Sequence, residues 1–146
     1  MPLQMIIKKL VPWSDLNEYE GQIEGLIDGY KLCCRVIMSG AQEWQEYSPG
    51  DIINADIYLV RCGDVTILDE STLPTLHQIA DVSYEVKGIV THVSGDIILL
   101  KSSLPFLLEV NLDISPHMKY SIPEIQVGNQ IFVSGVMCMD LDPEEE

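Results

Sequence analysis

The side chains that could do chemistry are few and scattered. Three histidines, His77, His92 and His117, each stand alone, and none falls in a His-x-Glu, HExxH or Cys-x-x-Cys setting. The cysteines are Cys33, Cys34, Cys62 and Cys138. Two of them are sequence neighbours that would project to opposite faces of a strand, so the spacing describes neither a zinc motif nor a disulfide framework. Tertiary folding could gather Cys62, His77 and His92 around a metal, but sites built wholly from scattered ligands are rare, and ordinary core or surface residues are the plainer reading. No metal and no cofactor is expected. The thiols read as small buried hydrophobes or idle surface groups in a reducing cytoplasm, with a regulatory disulfide as the alternative. There is no Gly-x-Ser-x-Gly elbow and no phosphate-cradling glycine loop with a lysine. Any acid/base pair picked from 23 acidic residues would be arbitrary, so no catalytic residue is assigned and a non-enzyme is expected.

Charge says more. Eight Lys plus Arg stand against the 23 acids in 146 residues, a formal charge of −15 and a pI near 4.3. Nucleic acid is excluded as a partner on this balance, because phosphate binding draws its affinity from cations that displace counterions. The acidity is uneven: residues 15–70 hold twelve acids and three bases, a net −9, and residues 140–146, DLDPEEE, add five acids as a solvated tail. Solubility alone could account for this. A basic protein partner is the sharper explanation, since it would offset the self-repulsion.

Within that acidic stretch, GAQEWQEYSPGD at residues 40–51 combines Glu43, Glu46 and Asp51 with Trp44 and Tyr47. It is too polar for a core strand and ends at Pro49-Gly50. Tyr and Trp are enriched at binding hot spots, and flanking acids steer cationic partners, so these five residues form the candidate partner-binding site. The structural alternative is Trp44 folding back as a lid over one end of a barrel.

The elements that must position this stretch are strands. In residues 31–38, Leu32, Cys34, Val36 and Met38 alternate with Lys31, Cys33, Arg35 and Ile37, the period of a half-buried strand. In DIINADIYLV, Ile53, Ala55, Ile57 and Leu59 share one side, with Asn54, Asp56 and Tyr58 on the other. LLEVNLD sets Leu108, Val110 and Leu112 against Glu109, Asn111 and Asp113. With MIIKKLV, GQIEGLI, DVTIL, YEVKGIVTHV, DIILLK and QIFVSGVMCM, roughly eight or nine strands are expected. Asp28-Gly29, Ser39-Gly40, Pro49-Gly50, Gly63-Asp64 and Ser94-Gly95 punctuate them as turns. Helix is expected only as one or two short pieces, over residues 13–20 capped by Ser14 and over residues 73–80 from Pro74. The segment STLPTLHQIAD also reads as a connection between halves.

Those halves, residues 15–70 and 84–139, echo each other. YEGQIEGLI with SPGDIINADIYLV stands against YEVKGIV with QVGNQIFVSGVMCM, though ordinary hairpin units would look similar. Residues 84–140, with Gly88-Ile89-Val90 in the opening strand and Gly-Asn-x-Ile-x-Val-x-Gly from Gly128 to Gly135 in the closing one, resemble the small Greek-key barrels called OB-folds. That resemblance implies a barrel and no particular activity. OB-folds that bind oligonucleotides use a positive groove with stacking aromatics, and residues 71–139, with three Lys against six acids, depart from that pattern.

The expected architecture is therefore an all-β antiparallel barrel or sandwich, OB-like, with one or two short helices. It would be a single compact domain over residues 1–139, followed by the acidic tail. No apolar run approaches the roughly 18 to 20 residues that span a bilayer, so no membrane is expected. Lys8 and Lys9 follow the first apolar stretch instead of preceding it, which is not the order of an export signal, so a cytoplasmic location is expected. The expected role is non-enzymatic protein binding, in one concrete form an acidic inhibitor or immunity protein masking a basic nuclease or toxin. The first competitor is a ligand-binding or enzymatic barrel with a scattered pocket such as Tyr58, His92 and Arg61. The second is a structural subunit that buries apolar strand edges in a homo-oligomer.

Overall fold

Alternating side chains set most of the chain into strands. The computed structural model describes residues 3–13, 19–69, 73–112 and 124–141. Its strands are β1 (Leu3–Pro12), β2 (Glu20–Ile27), β3 (Tyr30–Ile37), β4 (Ile52–Leu68), β5 (Thr75–Ala80), β6 (Ser83–Ser94), β7 (Ile97–Lys101), β8 (Leu108–Asn111) and β9 (Gln130–Leu141). The fold is all-β, and one short 3-10 helix, Ala41–Glu46, is the only helix among the described residues. Two compact units divide the chain, one from residues 1–57 with 137–146 and one from residues 58–136. The division falls inside β4 and β9, so each of these long strands contributes to both units.

In the first unit β2 and β3 form a hairpin in full register, from Glu20 opposite Ile37 to Ile27 opposite Tyr30. Its turn is Asp28-Gly29, with φ of 48° and 84°. Positive φ at both central residues gives the twist that a two-residue hairpin needs, and Asp-Gly tolerates it. β1 pairs antiparallel with β2 on one edge, through a bulge between Ile7 and Lys9, and with the start of β4 on the other, from Leu3 opposite Ala55 to Ile6 opposite Ile52. β3 meets β9 in parallel at Arg35 and Cys138, and β9 neighbours β4. The order β1-β2-β3-β9-β4-β1 closes a five-stranded ring, the connectivity of an OB-like barrel. Every second residue of β2 is buried, and Met5, Ile7, Ile23, Ile27, Leu32 and Val36 lose essentially all their exposure. Each such side chain contributes roughly 1.5 to 3 kcal/mol.

In the second unit β6 pairs antiparallel with β7, β7 with β8, and β6 also with β9 from Ser83 opposite Val136 to Ile89 opposite Gln130. β8 runs parallel to β4 at Tyr58–Val60 and residues 109–111. The pairing scheme repeats that of the first unit, with β6, β7 and β8 in the places of β1, β2 and β3 and a single parallel contact in each. The expected correspondence of SPGDIINADIYLV with QVGNQIFVSGVMCM thus matches strands β4 and β9. YEGQIEGLI and YEVKGIV, by contrast, are β2 and β6, which hold different places in the scheme. Val86, Val90, Leu100, Leu108, Ile131 and Val133 are buried in this unit.

Several local expectations are corrected. Residues 73–80 do not form a helix or a linker, because Thr75–Ala80 is strand β5, hydrogen-bonded antiparallel to β6 from Thr75 opposite Lys87 to Ala80 opposite Ser83. Gly63-Asp64 is not a turn, since β4 runs through it as one 17-residue strand. A Cβ on Gly63 would meet Ser134 Oγ at 2.9 Å, so the glycine there serves close strand approach. Most of the helical turn expected at residues 13–20, including Ser14, lies outside the described residues. At its ends Trp13 N donates to Glu20 O at 2.9 Å, and Glu20 already belongs to β2. Asp140, assigned to the tail, is in β9, and residues 142–146 lie outside the described chain.

Candidate functional site

Residues 40–51 fold as the 3-10 helix Ala41–Glu46 followed by a turn into β4, in which Gly50 takes φ of 98°. What orders so polar a stretch is Trp44. Its indole is 8% exposed and lies against Gly21 of β2, where an added Cβ would come within 2.5 Å of Cη2 and 2.6 Å of Cζ2. Glu43 ties down the entrance, its Oε1 accepting from Ser39 N at 2.6 Å and from Ser39 Oγ at 2.8 Å. Asp51 ties down the exit, its Oδ2 accepting from Ser48 N at 2.9 Å. Two backbone bonds fasten the same end to β1: Ile7 N donates to Asp51 O at 2.9 Å, and Gly50 N donates to Ile7 O at 2.7 Å.

The five expected site residues therefore separate by role. Trp44 turns inward and is part of the first unit's interior. Glu43 and Asp51 keep their carboxylates at the surface while bracing the backbone. Glu46 is exposed, and Tyr47 is half-buried. Beside the segment stands Tyr19, 48% exposed, whose backbone oxygen accepts from Met38 N at 2.6 Å.

Sequence reasoning missed two neighbours of this platform. Ile52, the residue after Asp51, is 67% exposed, and Ile6, its cross-strand partner on β1, is 40% exposed. Leu26, half-buried, continues the row across β2. The outward alternation of β4, which sets Ile52 on the side of Asn54, Asp56 and Tyr58, was the available signal. Water facing a directly paired isoleucine couple gains nothing for folding, and such pairs are the apolar centre of many contact surfaces. On the same unit Lys31 Nζ bridges Glu24 at 2.8 Å, and Arg35 bridges Glu20 at 3.0 Å. Hydrogen bonding to Glu24, with its charge, raises the Lys31 pKa. Burial works against the Arg35 cation, but the Glu20 carboxylate and then Cys138 outweigh it, so its pKa is raised. Burial first, then the neighbouring thiols Cys33 and Cys138, pushes Cys34 far above the ordinary thiol range.

The competing pocket residues belong to the second unit. Arg61 is 5% exposed, and its guanidinium is spent on the backbone, Nε donating to Leu112 O at 2.9 Å and Nη1 to Gly63 O at 2.5 Å. His92 is exposed and pairs its Nδ1 with Thr91 Oγ1 at 2.9 Å. Tyr58 is half-buried on β4. Cys62 and His77 are exposed, and no group of three or more His, Cys, Asp or Glu side chains suited to a metal occurs among the described residues. His117 lies outside them. No helix among them is long and apolar enough to cross a membrane.

No known protein family matches the chain. No curated protein matches it either. Among solved structures it is similar to the cytoplasmic molybdate-binding protein ModG, crystallised with molybdate bound, at 10% sequence identity and a TM-score of 0.47, over 95% of this chain and 94% of that one.

Proposed function

We propose that the protein is a non-enzymatic binding module for a basic protein surface, docking through the platform of residues 40–52, in the manner of an acidic inhibitor that masks a cationic active surface. The observation that supports this reading is the exposed Ile52–Ile6 pair directly bordered by the Asp51 carboxylate. An apolar centre with a charged rim is the anatomy of a specific interface, in which the centre holds the complex and the rim steers its formation. Because Trp44, Glu43 and Asp51 hold the segment in place beforehand, binding would not have to order it, which lowers the cost of association. The anchor presented to a partner is then Ile52 with Tyr47, while Trp44 works from beneath.

Capture from the source organism's lysate at physiological salt, with the unaltered chain and with Ile52→Ser and Glu46→Lys, tests this. The reading expects one basic protein held at a defined stoichiometry by the unaltered chain. Ile52→Ser should weaken that complex by roughly thirtyfold, chiefly through faster dissociation. Glu46→Lys should slow association and flatten its dependence on salt. Retention of the same proteins by both variants, or of no basic protein by the unaltered chain, would overturn it.

A further inference from the structure

Strand β5 stands at the end of the hydrogen-bonded strand order and pairs only with β6 among the described residues. It is also the most open strand of the fold, with five of its six residues exposed and Leu76 half-buried. An edge of this kind offers a row of backbone donors and acceptors to another strand. Folded proteins commonly blunt such edges with lysine, inward-pointing charge, proline or a bulge. Here Pro74 precedes the strand and a register shift lies between Gln78 and Ala80, but Thr75-Leu76-His77-Gln78-Ile79-Ala80 contains neither an acid nor a Lys or Arg.

That neutrality indicates which strand fits. The whole chain carries −15, so two copies repel wherever acidic surfaces meet, and a contact between them must be made at a segment free of acids. We propose that β5 is a self-pairing edge, through which two copies of this chain join β5 to β5 in antiparallel register. Full overlap of the six residues sets Thr75 opposite Ala80, Leu76 opposite Ile79, and His77 opposite Gln78 of the other copy. Directly opposed side chains on an antiparallel pair share a face, so each Leu76 meets an exposed Ile79, and Asp81 falls opposite Pro74 rather than opposite its own counterpart. A six-residue edge is smaller than a standard interface, so the dimer is reversible. This surface is on the second unit and is independent of the platform proposed for the basic partner.

Sedimentation of the intact chain over a range of concentrations tests the proposal. A monomer–dimer equilibrium is expected, and it should tighten as salt screens the mutual repulsion. Leu76→Glu and Ile79→Lys should each weaken the dimer at least tenfold while leaving the all-β circular dichroism spectrum unchanged, since both positions lie on the outer strand. An equimolar mixture of the two variants should dimerise again, because the carboxylate of one then faces the ammonium of the other. A chain that stays monomeric up to about 1 mM overturns the proposal. So does a dimer indifferent to both substitutions, or a mixture that fails to recover association.

Discussion

Trp44 occupies the space that Gly21 leaves empty. The indole carbons Cη2 and Cζ2 lie 2.5 and 2.6 Å from where a Cβ on Gly21 would be, and Val11 O lies 2.5 Å from the same point. Glycine in a strand interior is otherwise a weakness, and here it is the condition for seating the largest side chain of the acidic segment. Trp44→Ala is expected to cost about 3 to 5 kcal/mol of unfolding free energy, and Gly21→Ala about 1 to 3 kcal/mol or more by overpacking. Denaturant titration checks both. A Trp44→Ala chain as stable as the parent would show that the indole is not a structural anchor.

Arg61 is a buried cation whose printed partners are two backbone carbonyls, Leu112 O and Gly63 O. Arg61→Ala strips both acceptors of a charged donor in the interior, so a loss of about 2 to 4 kcal/mol is expected. Arg61→Lys should recover little of it, because one ammonium does not reproduce the planar fork. If Arg61→Ala left thermal unfolding unchanged, the guanidinium would be dispensable to the fold.

The thiols should fall into two classes. Cys62 is exposed, whereas Cys33, Cys34 and Cys138 are buried. A thiol-specific reagent on the native protein at about pH 8 is expected to label one cysteine per chain, at Cys62, and all four after unfolding. Raising the pH further should not release Cys34, whose burial holds it protonated well beyond that range. Fast labelling of Cys34 in the native state would contradict its placement.

Affinity for single- or double-stranded nucleic acid should be negligible at physiological salt. With eight cations against 23 acids, and with Arg61, Lys31 and Arg35 already committed to carbonyls or carboxylates, few remain to release counterions. Fluorescence anisotropy with labelled oligonucleotides checks this, and binding in the micromolar range would defeat the charge argument.

The all-β class, the inward faces of β2, β3 and β4, and the Asp28-Gly29 hairpin were legible in the sequence, because alternation and turn chemistry are local properties of the chain. Strand β5 was not. Leu76 and Ile79 stand three apart behind Pro74, a pattern that also suits the start of a helix, and only the ladder to β6 makes the segment a strand. Gly63-Asp64 has the composition of a turn, yet it runs through β4, where the approach of Ser134 needs a residue without a side chain. The acidic platform divides in the same way. Its residues were recognisable by type, and the outward side of Ile52 followed from alternation. That Trp44 points in was decided by Gly21, 23 residues earlier, and that Ile52 stands beside Ile6 was decided by the pairing of β1 with β4. Local residue types determine what backbone a segment prefers and which of its side chains avoid water. Which distant strand receives them is chosen by packing and hydrogen bonding across the sheet, and that choice exists only in the folded chain.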